Sequence, residues 1–143
     1  MIKWQLVPIM FALSLAACDV ATDRYATLQD ARADSLFQRG WLPDILPPST
    51  HSIHTSNDLD LNLSSGEFRF SSNEFSEFSA ALHPYTTRRE SPLKTLDDDI
   101  SRLTRQGYKP YEYTTADTVW VFLCNAEQGV CEYRMWAHAA SDV

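Results

Sequence analysis

The sequence predicts an α+β domain, with a mostly antiparallel sheet of four or five strands and helices mainly on one face. Three observations carry this. Apolar and polar residues alternate at Phe68-Arg69-Phe70 and at Cys131-Glu132-Tyr133-Arg134-Met135, as in half-buried strands. Between those runs Leu96, Ile100 and Leu103 fall at helical spacing. Finally, Cys124 and Cys131 bracket a polar, turn-prone segment between two apolar runs, which calls for a C-terminal β-hairpin closed by a disulfide.

The first element is not part of that domain. Lys3 opens the chain, an apolar run extends from Leu6 to Leu15, and Ala16-Ala17-Cys18 follows. This is the layout of a bacterial export signal. The apolar run is half of the roughly twenty residues a membrane-spanning helix needs, and Pro8 interrupts it. Leu15-Ala16-Ala17-Cys18 resembles the lipobox of bacterial lipoproteins. That resemblance implies cleavage before Cys18 and lipid on the Cys18 thiol. The expected division is therefore a removed signal peptide over residues 1–17, a lipidated tether over 18–25, and a single α+β domain over 26–143. The implied location is the cell membrane, lipid-anchored and facing the periplasm. Asp19, next to the cysteine, resembles the signal that keeps enterobacterial lipoproteins at the inner membrane.

Charge and cysteine count agree with this division. The net charge is −7 and becomes more negative once Lys3 is removed. Nucleic acid is excluded as a partner, because it requires a basic face. The chain has 3 cysteines, an odd number that needs an explanation in an exported protein. Lipid on Cys18 leaves Cys124 and Cys131 to pair with each other. A metal is disfavoured there, since only two ligands are local and no CxxC occurs.

The remaining elements follow in order. Thr27 is an N-cap with Asp30 three residues on, for a helix over about 28–37 that Gly40 stops. Residues 41–49 contain Pro43, Pro47 and Pro48 and cannot be regular structure. Trp41, Leu42, Ile45 and Leu46 give this connector apolar teeth that should pack inward. Residues 52–58 suit a strand. Leu59, Leu61 and Leu63 alternate with Asp60 and Asn62, as in a strand or a structured turn, and Ser65-Gly66 punctuates before Phe68 and Phe70. Asn73 can cap a short helix carrying Phe75, Phe78 and Leu82 on one face. A polar loop spans 84–92, and a helix spans about 92–106 before Gly107. Tyr111 and Tyr113 suit a strand. Val119-Trp120-Val121-Phe122-Leu123 is continuously apolar, as in a strand buried on both faces. If Cys124 lies opposite Cys131, Phe122 meets Tyr133 and Trp120 meets Met135.

Arg39-Gly40-Trp41-Leu42-Pro43, Leu46-Pro47-x-Ser49, Asn57-Asp58-Leu59-Asp60-Leu61-Asn62 and Phe68-Arg69-Phe70 form an ordered series. Over roughly residues 23–138 the chain resembles a family of small uncharacterised bacterial membrane proteins and lipoproteins with the same series. The resemblance implies a similar fold and a membrane-side location, and no catalytic residue.

Candidate chemistry is sparse. His51-x-x-His54 with Asp58 and Asp60 is the one cluster of metal-ligand types. Strand alternation places residues three apart on opposite faces, so the two histidines should not share an ion. Asp58-x-Asp60-x-Asn62 starts like a calcium loop, but Leu63 and Arg69 stand where glycine and glutamate belong. A turn capped and satisfied by Asp58, Asp60 and Asn62 is the simpler expectation. No GxSxG, phosphate loop or HExxH is present. Asp97-Asp98-Asp99 suits a helix N-terminus through the dipole. The sequence thus favours a non-enzymatic module without a cofactor, bound to the membrane through Cys18 and to an envelope protein. Trp41, Ile45 and Trp136 are its candidate partner surface if they are exposed and not packed inward. A small-ligand or metal-binding lipoprotein ranks second and a hydrolase third.

Overall fold

The structure is a computed structural model, and it describes residues 19–86 and 91–138. Cys18 and the signal segment lie outside the described residues. Seven antiparallel strands form one sheet: β1 (Val20–Thr27), β2 (His51–Asp58), β3 (Leu63–Arg69), β4 (His83–Pro84), β5 (Lys109–Thr114), β6 (Thr118–Asn125) and β7 (Val130–Ala137). Their spatial order is β1-β2-β3-β7-β6-β5-β4. The helices are α1 (Leu28–Ala33), α2 (Phe75–Ala80) and α3 (Leu96–Thr104).

The sheet has seven strands and not four or five. The two extra strands are its edges, β1 and β4. Of the eight residues of β1 only Tyr25 is buried, so backbone pairing with β2 makes the strand and no apolar pattern announces it. This also corrects the tether: pairing begins at Val20, opposite Asp58. The remaining strand differences are local. Leu59 to Asn62 form the β2–β3 turn, and β3 runs straight through Gly66. Gly66 is required there because a Cβ would lie 2.0 Å from the His54 carbonyl oxygen.

Helix α1 begins as the sequence predicts. Thr27 Oγ1 accepts the Asp30 amide at 3.1 Å, and the Asp30 carboxylate accepts the Thr27 amide at 3.1 Å, a reciprocal cap. The helix stops at Ala33 because Ser35 takes φ +59°, and a turn carries the chain on to Gly40. Leu36, in that turn, is still fully buried. Asn73 does not cap α2, which is entered through a single 3₁₀ turn over Ser72–Glu74.

The sheet is covered on both faces. On the first face Phe68, Trp120, Phe122, Tyr133 and Met135 pack against α1, α2 and the prolyl connector through Leu28, Leu42, Leu46 and Phe78. On the second face Val119, Val121, Leu123 and Trp136 pack against Leu96 and Leu103 of α3. Two helices thus share a face and the third lies opposite, where it covers the apolar side of β6. The β1–β2–β3 half of the second face carries Arg24, His54, Ser56, Glu67 and Arg69, all partly or fully exposed.

The register of β6 and β7 pairs Cys124 with Cys131, Phe122 with Tyr133 and Trp120 with Met135. The cysteines form a disulfide with Cα atoms 4.1 Å apart. Its closed loop is short, so the chain-constraint contribution is about 2.5 kcal/mol. Reduction should lower stability by about 2–4 kcal/mol without loss of the fold, because both strands are otherwise held by apolar contacts. Urea unfolding with and without reductant checks this. In the connector, Trp41 is buried and its carbonyl accepts the Trp120 indole N–H at 3.0 Å. Trp41→Ala should cost about 3–5 kcal/mol in the same measurement.

Candidate functional site

Among the described residues a concavity lies at the border between the covered and open halves of the second face. It is a cleft of about 280 Å³ between the start of α3 and the strands β2, β3 and β7. Ser56 and Ser65 line its floor, Leu93 and Leu96 one wall, and Asp99 and Arg134 its charged end. Sheet register explains the grouping: Ser65 pairs with both Ser56 and Arg134, so the three side chains form a row across neighbouring strands. Asp99 reaches this row because α3 crosses above it in its first turn.

Arg134 is held on several sides. Its Nε donates to Asp99 Oδ2 at 3.1 Å, one terminal nitrogen to Glu132 Oε2 at 3.1 Å, and the other to its neighbour's backbone, the Tyr133 carbonyl, at 2.9 Å. Asp99 Oδ1 also accepts from Arg102 at 3.0 Å. Burial alone would raise the Asp99 carboxyl, but the Arg102 and Arg134 guanidinium groups outweigh it and hold the group below the usual aspartate range. A carboxylate held ionised in this way is a weak base, and an arginine already facing two carboxylates offers little attraction to an anion. The arrangement suits a small polar guest held by hydroxyls more than it suits acid–base chemistry.

The first face has its own polar cluster. Ser64 Oγ donates to Asn57 Oδ1 at 2.7 Å, and the Tyr133 hydroxyl lies 2.8 Å from Ser64 Oγ. All three residues are buried, and burial pushes the Tyr133 hydroxyl pKa far up, so the phenol stays neutral. With its members bonded to one another, this network pins β2, β3 and β7 together. At the edge of the same face the Tyr25 hydroxyl is pushed up to about 12, by burial and by its 2.6 Å hydrogen bond to Asp34.

The residues singled out in the sequence are dispersed. A bulge between His51 and His54 places two residues of β2 opposite Phe68 alone. His51 pairs with Arg69 and Thr27, and His54 with Glu67 and Arg24. The two histidines do not converge. His54 Nδ1 is 3.6 Å from Glu67 Oε1, while His51 Nδ1 lies 3.1 Å from the Ser49 carbonyl. Asp58 sits at the far end of β2 from His51, where its Oδ1 accepts the amides of Asp60 and Leu61 at 3.1 and 2.9 Å. It is a turn cap. Among the described residues no group of three histidine, cysteine or acidic side chains is placed to hold a metal ion.

The expected partner surface is also corrected. Trp41 is 9% and Trp136 3% exposed, because each ring fills the core on its own side of the sheet. Ile45 is half-buried beside Leu46 and Phe78. Sequence reasoning missed Ser56, Ser65 and Arg134, whose grouping requires the β2–β3–β7 register. Asp99 carried a signal, but it pointed to the helix dipole. The acidic run does lie in the first turn of α3, and only Asp99 turns toward the sheet to pair with Arg134.

Fold and cleft together define an antiparallel α+β module with a crosslinked hairpin and a shallow polar recess. Residues 19–69 are similar to a family described as the YbbD head domain, over roughly a third of the chain. The matched segment spans β1, α1, the connector, β2 and β3 and ends on the last residue of β3. Comparison with curated proteins and with solved structures finds no match.

The Asp99 pairing makes a pH prediction. A carboxyl lowered on folding adds stability that is complete above its unfolded pKa, near 4, and is lost as pH falls through the lower folded value. Stability should therefore decline as pH falls below about 4, and Asp99→Asn should flatten that decline. Thermal unfolding of both proteins across the acid range checks it.

Proposed function

We propose that this chain is a lipid-anchored protein of the bacterial cell envelope, facing the periplasm, whose folded domain is a non-enzymatic interaction module. One observation carries the reading. The Cys124–Cys131 disulfide uses two of the 3 cysteines and leaves Cys18, which follows the apolar run and Leu15-Ala16-Ala17. Disulfides belong to exported proteins, and an unpaired cysteine at that position is the residue a lipobox would supply for acylation. The similarity to the YbbD head domain begins at Asp19, where the mature domain would resume after Cys18. For the module itself, the support is the terminal strand β1, whose outer edge carries backbone groups that an added strand of a partner could pair.

A small-ligand reading stands second, favoured by the cleft at Ser56, Ser65 and Arg134. Its volume of about 280 Å³ is at the lower limit for a small-molecule site.

The anchor is tested by the intact mass of protein extracted from the envelope. The expected mass is that of residues 18–143 plus lipid, and Cys18→Ser should remove the lipid and release the protein from the membrane fraction. An unmodified Cys18, or cleavage elsewhere, rejects the reading. Crosslinking the anchored protein in its own envelope tests the module, and an envelope protein captured through β1 is the expected product.

A further inference from the structure

Among the described residues the exposed large hydrophobic side chains are Val20 (49%), Leu59 (55%) and Leu61 (67%). They are not scattered. Val20 pairs with Asp58 at the end of the β1–β2 ladder, and Leu59 and Leu61 occupy the β2–β3 turn that follows Asp58. Single exposed apolar residues are ordinary, whereas a cluster at one end of a sheet calls for an occupant.

That end of the sheet is also where the chain enters the domain. The Leu59 amide donates to the Asp19 carbonyl at 3.0 Å, and Asp19 is the residue after Cys18. No tether intervenes, because β1 is already paired at Val20. The turn is also held in shape. Asp58 caps it through two backbone amides, and Asn62 closes it at φ +52°. The leucines are therefore displayed on a fixed support and not on a loose loop.

We propose that the β2–β3 turn is a membrane-contact surface, with Leu59 and Leu61 seated in the headgroup layer of the bilayer that holds Cys18. The proposal rests on the lipid-anchor reading above. A lipidated Cys18 brings the bilayer to within one residue of this turn, and the opposite end of the sheet, with the β6–β7 turn, points away. Asp19, Asp58 and Asp60 surround the leucines. They keep the contact shallow and favour zwitterionic over anionic lipid. Lipid chains supply the affinity. The turn sets the orientation, so that the sheet stands on its β2–β3 end.

The test uses the full lipidated protein in phosphatidylcholine vesicles. Leu61→Cys carries an environment-sensitive fluorophore, and Gln128→Cys, exposed in the β6–β7 turn, carries the same probe as reference. Vesicle flotation and intact mass report the anchor separately. The expected result is a blue shift at position 61 and quenching there by spin-labelled lipid, with neither at position 128. Adding Leu59→Ser to the protein labelled at position 61 should reduce both signals while flotation is unchanged. Protein that floats but shows the same spectrum at both positions overturns the inference and leaves the anchor intact. Protein that neither carries lipid nor floats overturns both. A blue shift at position 61 without vesicles that grows with protein concentration assigns the leucines to a second copy of the chain and overturns the membrane contact.

Discussion

The register of β6 against β7, which sets Cys124 opposite Cys131, is the constraint on which the rest of the structure depends. Side chains alternate along a strand, so slipping the β6–β7 register by one residue would turn every side chain of one strand to the wrong face. In this register Trp120, Phe122, Tyr133 and Met135 face α1, α2 and the connector, while Val119, Val121, Leu123 and Trp136 face α3. β6 is apolar on both faces because it is covered on both. β7 lies at the centre of the sheet, so its register passes on to β3 and through β3 to β2. The row Ser56, Ser65, Arg134 that floors the cleft follows from that chain of registers.

The amino-terminal half is held differently. β1 and β2 contribute few apolar side chains, and their outward face is polar. Backbone ladders, the buried Asn57–Ser64–Tyr133 bonds and the capped turn at Asp58 supply the order that apolar burial supplies elsewhere. The bulge at His51–His54 is the irregularity in this half. It shifts β2 by one residue relative to β3, and so it decides which side chains of β2 reach the second face. The same half coincides with the segment similar to the YbbD head domain and carries the chain's entry point beside Leu59.

The covered and open halves of the second face meet at Asp99 and Arg134. α3 is amphipathic, with Leu96 and Leu103 buried and a run of acidic residues at its start. The leucines place the helix over β6, and one aspartate then falls beside the only strong cation of the adjoining β7 strand. The ion pair forms where apolar packing has already brought its members together. Its paired charges leave a recess better suited to binding than to reaction.

Determined by the sequence alone were those features whose cause is local. The Thr27–Asp30 cap, the inward packing of the connector and the hairpin crosslink all rest on residues close together in the chain. The strand β6 was legible because continuous apolar character has few other meanings in so short a run. Tertiary structure alone decided features that depend on partners distant in sequence. β1 and β4 are strands only because a neighbour pairs their backbones, which leaves no apolar pattern to read. The bulge between His51 and His54 depends on β3. Trp136 looked available as an aromatic residue in a final strand, yet it completes a core assembled from remote elements. Leu59 and Leu61 suited either a strand or a structured turn; they form the turn and are exposed, because it lies beyond the last row of the sheet, beside the residue that follows Cys18.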